Sequence, residues 1–216
     1  MAERTTNRTV RCYNFGTGYY FSTQERILFE DLLLTGIVPE LAVFIDGLND
    51  FRSVEGFPEF TASLHERMAP DIPFTGYQPP RTDAERKHAI EWVLQRYQRN
   101  LRLSAGAARQ FGIRTVFVGQ PVPFMNYPVT PQTYPLTQPN DDHKLCALAY
   151  PRFAQLAASG AFGPDFIWAA DAFVDASRPM YADGIHYSSR GARRLAQVIV
   201  ERVSRRPPTS PPAATK

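Results

Sequence analysis

The sequence predicts an α/β fold in which parallel strands are joined by helices. Short apolar runs alternate with longer segments of helical periodicity along the chain, an order that is typical of this class. Two runs, 41–47 and 113–119, are almost continuously apolar, as expected of strands covered on both faces. With 216 residues, 44% of them hydrophobic, the chain is long enough for one domain with a real core. We expect this domain to span residues 1–206, followed by a disordered proline-rich tail at 207–216.

Four strands are predicted from apolar runs bounded by glycines and polar residues. The run TVRCYNFG at 9–16 ends at a glycine, and it is followed by LAVFIDG at 41–47 and IRTVFVG at 113–119. A fourth run, FIWAADAF, lies at 166–173. The carboxyl ends of parallel strands meet at one edge of the sheet, where ligands gather, so residues that follow these strands are candidates for a site.

Four helices are predicted, at 22–36, 82–112, 142–159 and 189–203. The second begins with a capping box of Thr82 and Glu85, and Ser22 with Glu25 has the same spacing in the first. Ser22 is therefore interpreted as a helix cap, since caps far outnumber nucleophilic serines. Each of these two helices ends at a glycine. Pro151 lies inside the third helix and is expected to kink or split it.

The segment 120–141, QPVPFMNYPVTPQTYPLTQPND, is rich in proline and aromatic residues and is too long for a simple connection. Ordered loops of this length often bind ligands or cover a site. Phe124 and Tyr127 are therefore candidates for a pocket that accepts an acyl group or a sugar, although they could instead fold the loop onto the domain. Gln120 directly follows a strand and is a further candidate to line the site, with a structural hydrogen bond as the alternative.

Composition argues against several classes of partner. The net charge is +3, and the basic residues are interleaved with acidic ones along the helices. They therefore form no basic patch of the kind that binds nucleic acid. No apolar run is long enough to cross a bilayer. The first ten residues lack the apolar stretch of a secretory signal, and the compartment stays undecided.

The cysteines and the isolated histidines do not form a metal-ligand pattern. Cys12 and Cys146 are far apart in the sequence and are predicted to be buried thiols. The remaining histidines are predicted to be surface residues, namely His65, His88 and His143. The sequence therefore predicts no metal site.

Three short motifs carry side chains suited to catalysis. NFGTG at 14–18 and GLND at 47–50 follow predicted strands, and DGIH at 183–186 precedes the last helix. An acyl-transfer site needs a general base, a carboxylate that orients it, and hydrogen-bond donors for the developing oxyanion. The three motifs together contain each of these groups.

His186 is the candidate base, and Asp183 is the carboxylate that would hold its second ring nitrogen. Asn49 offers a side-chain amide, and either Gly18 or Gly16 offers an unobstructed backbone N–H group. Taken alone, Asn49 is typical of a turn at a strand end, and a single histidine is more often a partly buried structural residue. The combination of the three motifs favours a site.

In this order the motifs resemble the sequence blocks of the SGNH hydrolases, also called GDSL esterases and lipases. The resemblance covers roughly residues 11–203. It implies a three-layer α/β/α fold with a parallel, flavodoxin-like sheet, and ester cleavage through an acyl-enzyme. It also implies that His186 is the base, Asp183 its partner, and Asn49 and Gly18 the oxyanion donors. The substrate would be a small-molecule acyl ester or an acylated carbohydrate, and no metal or organic cofactor is required.

The sequence departs from the family pattern near its start. The family's nucleophilic serine ends the first strand, ahead of the glycine motif, and no serine precedes Asn14 here. The resemblance therefore implies that the first central strand and the nucleophile are missing, so we expect an N-terminally truncated piece that is inactive or nearly so as supplied. The alternative is a non-catalytic module that keeps the hydrolase fold and binds an acylated ligand or partner.

Overall fold

The computed structural model describes residues 9–52, 80–128, 130, 133, 137–139 and 143–205. Three parallel strands form one sheet in these regions, in the order β1 (Leu41–Asp46), β2 (Arg114–Gly119) and β3 (Phe166–Trp168). Leu41 lies opposite Arg114, and Phe117 lies opposite Phe166. Three of the four predicted strands are therefore confirmed, the last of them in a shorter form. The predicted tail at 207–216 lies outside the described residues.

Helices cover the sheet on both faces, which confirms an α/β fold with helix, sheet and helix layers. They are α1 (Ser22–Leu34), α2 (Asp83–Gln110), α3 (Lys144–Ala158) and α4 (Ser189–Ser204), and a short 3₁₀ turn at Asn49–Phe51 follows β1. Helices α1, α2 and α3 share one core with the sheet, whereas α4 packs on the opposite face against β2 and β3. No helix among the described residues has the length and apolar character needed to span a membrane.

The core beneath the three helices is rich in aromatic rings. Phe44 of β1 stacks on Phe117 of β2 at 5.1 Å between ring centroids and meets the edge of Phe29 of α1 at 5.3 Å. Phe153 of α3 similarly meets Tyr97 of α2 edge to face at 5.3 Å. Such pairs add about 0.5–1.5 kcal/mol each beyond the burial of their surface, so they help to fix helices α1 to α3 on the sheet.

The predicted helix ends are largely confirmed. Thr82 Oγ1 accepts the Glu85 N–H at 3.2 Å, and Glu85 Oε2 accepts the Thr82 N–H at 2.9 Å, which completes the capping box of α2. Gly36 and Gly112 follow α1 and α2 with φ of +82° and +68°, a conformation that favours glycine. Helix α3 runs through Pro151 without a break, so the predicted split is wrong.

The predicted strand at 9–16 is wrong, because that segment is exposed, irregular chain. A strand needs a neighbour for its backbone hydrogen bonds, and within the described residues β1 pairs with β2 alone. The Gly16 N–H group instead donates to the side chain of Asn14 at 2.9 Å.

Among the described residues, helices cover strand β1 on one face only, which corrects the prediction of a strand buried on both faces. Its outer side chains are each about two-fifths exposed, with values of 41% for Leu41, 41% for Val43 and 39% for Ile45. The alternate residues Phe44 and Asp46 are buried. The difference arises because α4 packs against β2 and β3 and does not extend over β1.

Two predicted side-chain environments also need correction. Cys146 is buried as predicted, but Cys12 is exposed, because its segment forms no strand. His88 is exposed as predicted, but His143 is buried beside Phe124, with 6.1 Å between the ring centroids. His65 lies outside the described residues.

Candidate functional site

The DGIH motif lies in a small hairpin between β3 and α4. The Ala182 N–H donates to the His186 carbonyl at 2.8 Å, and the Ser188 N–H donates to the Met180 carbonyl at 2.9 Å. Ser188 also caps α4, since its hydroxyl accepts the Gly191 N–H at 3.2 Å. The hairpin is therefore held at both ends by backbone bonds and is attached directly to the helix that follows.

Asp183 and His186 form the predicted pair. One carboxylate oxygen of Asp183 accepts the backbone N–H groups of His186 and Ile185 at 2.7 and 2.9 Å, and the other lies 2.7 Å from His186 Nδ1. The His186 backbone N–H, then that of Ile185, then the imidazole lower the pKa of Asp183 to about 2. A carboxylate partner fixes the proton on Nδ1, which leaves Nε2 as the acceptor. The side chain of His186 is 73% exposed, so Nε2 is open to solvent.

The GLND motif turns the chain away from the end of β1. Gly47 has φ of +132°, and a Cβ atom there would lie only 2.6 Å from the hydroxyl of Tyr150, so conformation and space both require glycine. Asn49 then begins the 3₁₀ turn, and its side-chain amide donates to the Tyr20 carbonyl at 2.9 Å. This bond uses one of the two amide hydrogens of Asn49 and ties the GLND turn to the end of the glycine motif.

The glycine motif offers one unengaged backbone donor. The Gly16 N–H is bonded to Asn14, whereas the Gly18 N–H has no acceptor among the residues that the structure describes. The left-handed position in this turn falls on Tyr19, with φ of +66°, and the guanidinium of Arg52 lies 4.6 Å from its ring centre. Of the two candidate glycines, the structure therefore leaves Gly18 as the available donor.

Two tyrosines connect the motifs at the carboxyl edge of the sheet. The hydroxyl of Tyr150, beside Gly47, donates to the Gln120 carbonyl at 3.0 Å. The hydroxyl of Tyr187, next to His186, donates to the Pro121 carbonyl at 2.8 Å. Tyr150, whose hydroxyl lies beside the GLND turn, and Tyr187 of the DGIH hairpin thus bond to consecutive residues after β2. No hydrogen bond joins His186 directly to Asn49 in the described part of the chain.

The predicted substrate-binding residues have different environments. The Gln120 N–H continues the ladder by donating to the Asp46 carbonyl at 2.9 Å, and its side chain is half-buried. Phe124 is half-buried against the core below the helices. Tyr127 is buried, and its hydroxyl accepts the Met180 N–H at 2.9 Å, so it supports the DGIH hairpin. Contact of these residues with a substrate stays a prediction.

Ser22 is not a helix cap, which corrects the prediction for α1. The helix begins at Ser22 itself, after Phe21, and the Ser22 hydroxyl donates to Asp50 Oδ1 at 2.5 Å while accepting from Asn100 at 2.9 Å. The Phe21 N–H donates to Gln24 Oε1 at 3.3 Å, so the side chain that bonds back to the start of α1 is that of Gln24 and not that of Glu25. Tertiary partners on the 3₁₀ turn and on α2 thus bind the Ser22 hydroxyl in place of a local capping bond.

These contacts belong to a buried polar cluster that sequence reasoning missed. We define it as Ser22, Asp46, Asp50, Arg96 and Asn100, all of which are buried. The sequence does contain a signal, because Arg96 and Asn100 are one helical turn apart between residues of the buried face of α2. A charged residue at a core position indicates a buried partner.

Within the described residues, no three His, Cys, Asp or Glu side chains are arranged as ligands for a metal ion. The groups that the sequence predicts for the site are thus the Asp183–His186 pair, the Asn49 side-chain amide and the Gly18 N–H. In comparisons with known proteins, the sequence matches no protein-family model and no curated protein.

Proposed function

We propose that this chain carries the proton-transfer and oxyanion-binding groups of an SGNH-type acyl-ester hydrolase. The observation that supports this most is the Asp183–His186 contact of 2.7 Å. It is supported further by the bonds of Tyr187 to Pro121 and of Tyr150 to Gln120, since Tyr187 adjoins His186 and the Tyr150 hydroxyl lies beside Gly47. The proposed substrate is a small-molecule acyl ester or an acylated carbohydrate.

In the proposed mechanism, His186 Nε2 accepts the proton of an attacking hydroxyl group, and Asp183 stabilises the imidazolium that forms. The second amide hydrogen of Asn49 and the Gly18 N–H stabilise the oxyanion of the tetrahedral intermediate. In the part of the chain that the structure describes, no serine hydroxyl hydrogen-bonds to His186. The attacking group available to these residues alone is therefore water, which predicts slow hydrolysis and no acyl-enzyme.

The proposal is tested with an activated ester such as p-nitrophenyl acetate. We expect the chain to hydrolyse it slowly above the buffer rate, and His186→Ala to lose that excess, because general-base assistance contributes about 10²-fold or more. His88→Ala is the matched control, since His88 is an exposed imidazole on α2 outside the site. Equal loss in both variants, or no loss in His186→Ala, would contradict the proposal.

The second candidate function is a non-catalytic module that binds an acylated ligand. It is favoured by the bond between Asn49 and Tyr20, which occupies part of the proposed oxyanion donor. A serine-directed fluorophosphonate separates the possibilities. Stoichiometric labelling would show a serine nucleophile, contrary to our expectation. No labelling together with no His186-dependent hydrolysis would favour the binding module.

A further inference from the structure

Strand β1 forms an edge of the sheet among the residues that the structure describes, since it pairs there with β2 alone. The carbonyls of Glu40 and Asp46 accept amides from the two ends of β2 at 3.2 and 2.9 Å. Successive residues of a strand direct their backbone groups to opposite sides. The backbone groups of Leu41, Val43 and Ile45 therefore point away from β2, toward an edge where the described residues supply no further strand.

The same three residues carry apolar side chains on the face of β1 that α4 leaves uncovered. Leu41, Val43 and Ile45 are each about two-fifths exposed, and the preceding Ile37 and Val38 are about half exposed. Edge strands that stay unpaired are usually protected by charged side chains, a proline or a bulge. The segment 41–45 contains no charged residue and no proline, and its register with β2 is continuous. This edge is therefore suited to pairing with another strand.

The sequence of β1 is complementary to a second copy of itself. In an antiparallel pair centred on Val43, this residue lies opposite its own counterpart, and Leu41 lies opposite Ile45 of the second copy. Residues that lie opposite each other share a face of the sheet, so every pair on the uncovered face is apolar. These residues also direct their backbone groups to the open edge, so each pair can exchange two hydrogen bonds.

The ends of β1 limit the length of this pairing. Glu40 would lie opposite Asp46 of the second copy, and like charges directly opposite each other are destabilising. The paired segment is therefore 41–45. A second copy that runs antiparallel needs no connecting segment, and twofold symmetric dimers are the commonest oligomers.

We propose that two copies of this chain associate through the edge of β1, paired antiparallel about Val43 to form one continuous sheet. The interface then consists of the same residues in both copies, as a twofold axis requires. The exposed side chains of Leu41, Val43 and Ile45 from the two strands form one apolar band on the uncovered face. The inference does not rest on the proposed function, since it uses no residue of the proposed site.

The test is sedimentation velocity of the full chain over a series of concentrations. We expect the mass to rise with concentration from that of one chain toward that of two. Val43→Lys should weaken the association about tenfold or more, because it places two ammonium groups opposite each other at the twofold axis. Val174→Lys is the matched control and should associate as the wild type, since Val174 is 55% exposed and lies outside β1.

A second measurement tests the register. The Cα atoms of a hydrogen-bonded antiparallel pair are about 5.5 Å apart, a separation that a disulfide can span. Cys12→Ser first removes the exposed native thiol. In that background, Val43→Cys should give a covalent dimer on oxidation, as seen on a denaturing gel, and Val174→Cys should give none.

Single chains at every concentration would overturn the proposal and would leave this edge to an extended segment of another protein. That outcome is decided by the wild type, so it does not depend on the folding of a variant. A dimer that Val43→Lys leaves unchanged would place the interface elsewhere and would also overturn the proposal. Equal cross-linking of the Val43→Cys and Val174→Cys chains would overturn the pairing about Val43.

Discussion

Gly191 lies in the first turn of α4, directly against the backbone of the DGIH hairpin. A Cβ atom at this position would lie 2.0 Å from the Met180 carbonyl oxygen, which itself accepts the Ser188 N–H. Real carbon and oxygen atoms do not approach this closely, so the hairpin or the helix would have to move. This single glycine therefore sets the distance between α4 and the segment that carries His186.

We predict that Gly191→Ala destabilises the fold by about 1–3 kcal/mol, the usual cost of inserting a methyl group into a packed position. Gly106→Ala is the matched control, because Gly106 is inside α2 and an added Cβ would meet nothing within 4 Å. That control should stabilise the chain by about 0.5–1 kcal/mol through helix propensity. Urea unfolding of both variants measures the difference, and a neutral Gly191→Ala would contradict the prediction.

The hydrogen bonds of Asp183 predict how its carboxyl group titrates at acidic pH. Its pKa is lowered to about 2, chiefly by the backbone N–H groups of His186 and Ile185. A lowered pKa means that its contribution to the hairpin is complete above the unfolded pKa of 3.8 and is lost as the pH falls through about 2. We expect a ¹³C carboxyl titration with a midpoint near 2. His186→Ala should keep the midpoint below 3.8, because the larger backbone contributions remain; a midpoint at or above 3.8 would contradict this account.

Among single residues, sequence reasoning worked best where the interaction is local. The Asp183–His186 pair is three residues apart and closes its own turn, so spacing was sufficient to predict it. Ser22 was misread because its partners, Asp50 and Asn100, are 28 and 78 residues away. A capping motif predicts a local bond, and it cannot show that a distant carboxylate competes for the same hydroxyl.

At the scale of secondary-structure elements, β1 shows that the burial of a strand depends on the helices that pack against it. Its apolar sequence predicted burial on both faces, but only the face toward α1 and α2 is covered in the described residues. Strand β2 has a similar sequence and is buried from Thr115 to Gly119, because α4 covers its second face. The pattern of apolar residues predicts which faces of a strand could be buried. Whether a face is buried depends on whether a helix packs against it.

Alternating substitutions along β1 should therefore have alternating effects. Phe44→Ala removes a ring that stacks on Phe117 and meets the edge of Phe29, and it should cost about 3–5 kcal/mol. Val43→Ala changes a side chain that is 41% exposed, and it should cost about 1 kcal/mol or less. Chemical denaturation of both variants tests this, and comparable losses would show that both faces of β1 are covered in solution.

At the scale of the whole molecule, Tyr150 connects three parts of the fold. Its ring lies in the core of α3, its hydroxyl is beside Gly47, and that hydroxyl bonds to the Gln120 carbonyl. Burial raises its pKa well above the ordinary value, so it stays a neutral donor. The order of the sheet follows from the sequence pattern, but this connection does not, because it depends on how α3 lies across two strand ends.

We predict that Tyr150→Phe lowers the free energy of unfolding by about 1–3 kcal/mol, since the half-buried Gln120 carbonyl would lose its donor while the ring is kept. Tyr13→Phe is the control, because Tyr13 is 75% exposed and should tolerate the change. Thermal unfolding of both variants measures the effect. An equal, small change in the two would mean that Gln120 finds another donor.

For the molecule as a whole, the sequence predicted the fold class, three strands and the order of the helices correctly. It placed the segment 9–16 in a strand because composition favours extended chain there, but a strand forms only against a partner. The catalytic roles of His186, Asp183, Asn49 and Gly18 remain predictions, since geometry shows what these groups can contact and not which reaction they serve.

The positions of the two cysteine thiols allow unfolding of the chain to be followed by thiol modification. Cys12 is exposed, whereas Cys146 is 0% exposed, and burial raises the pKa of its thiol well above the ordinary value. An alkylating reagent should therefore modify the first thiol at once and reach the second only when α3 leaves the core. The rate at which Cys146 is modified would then measure the rate of unfolding, even in a sample too dilute for spectroscopy.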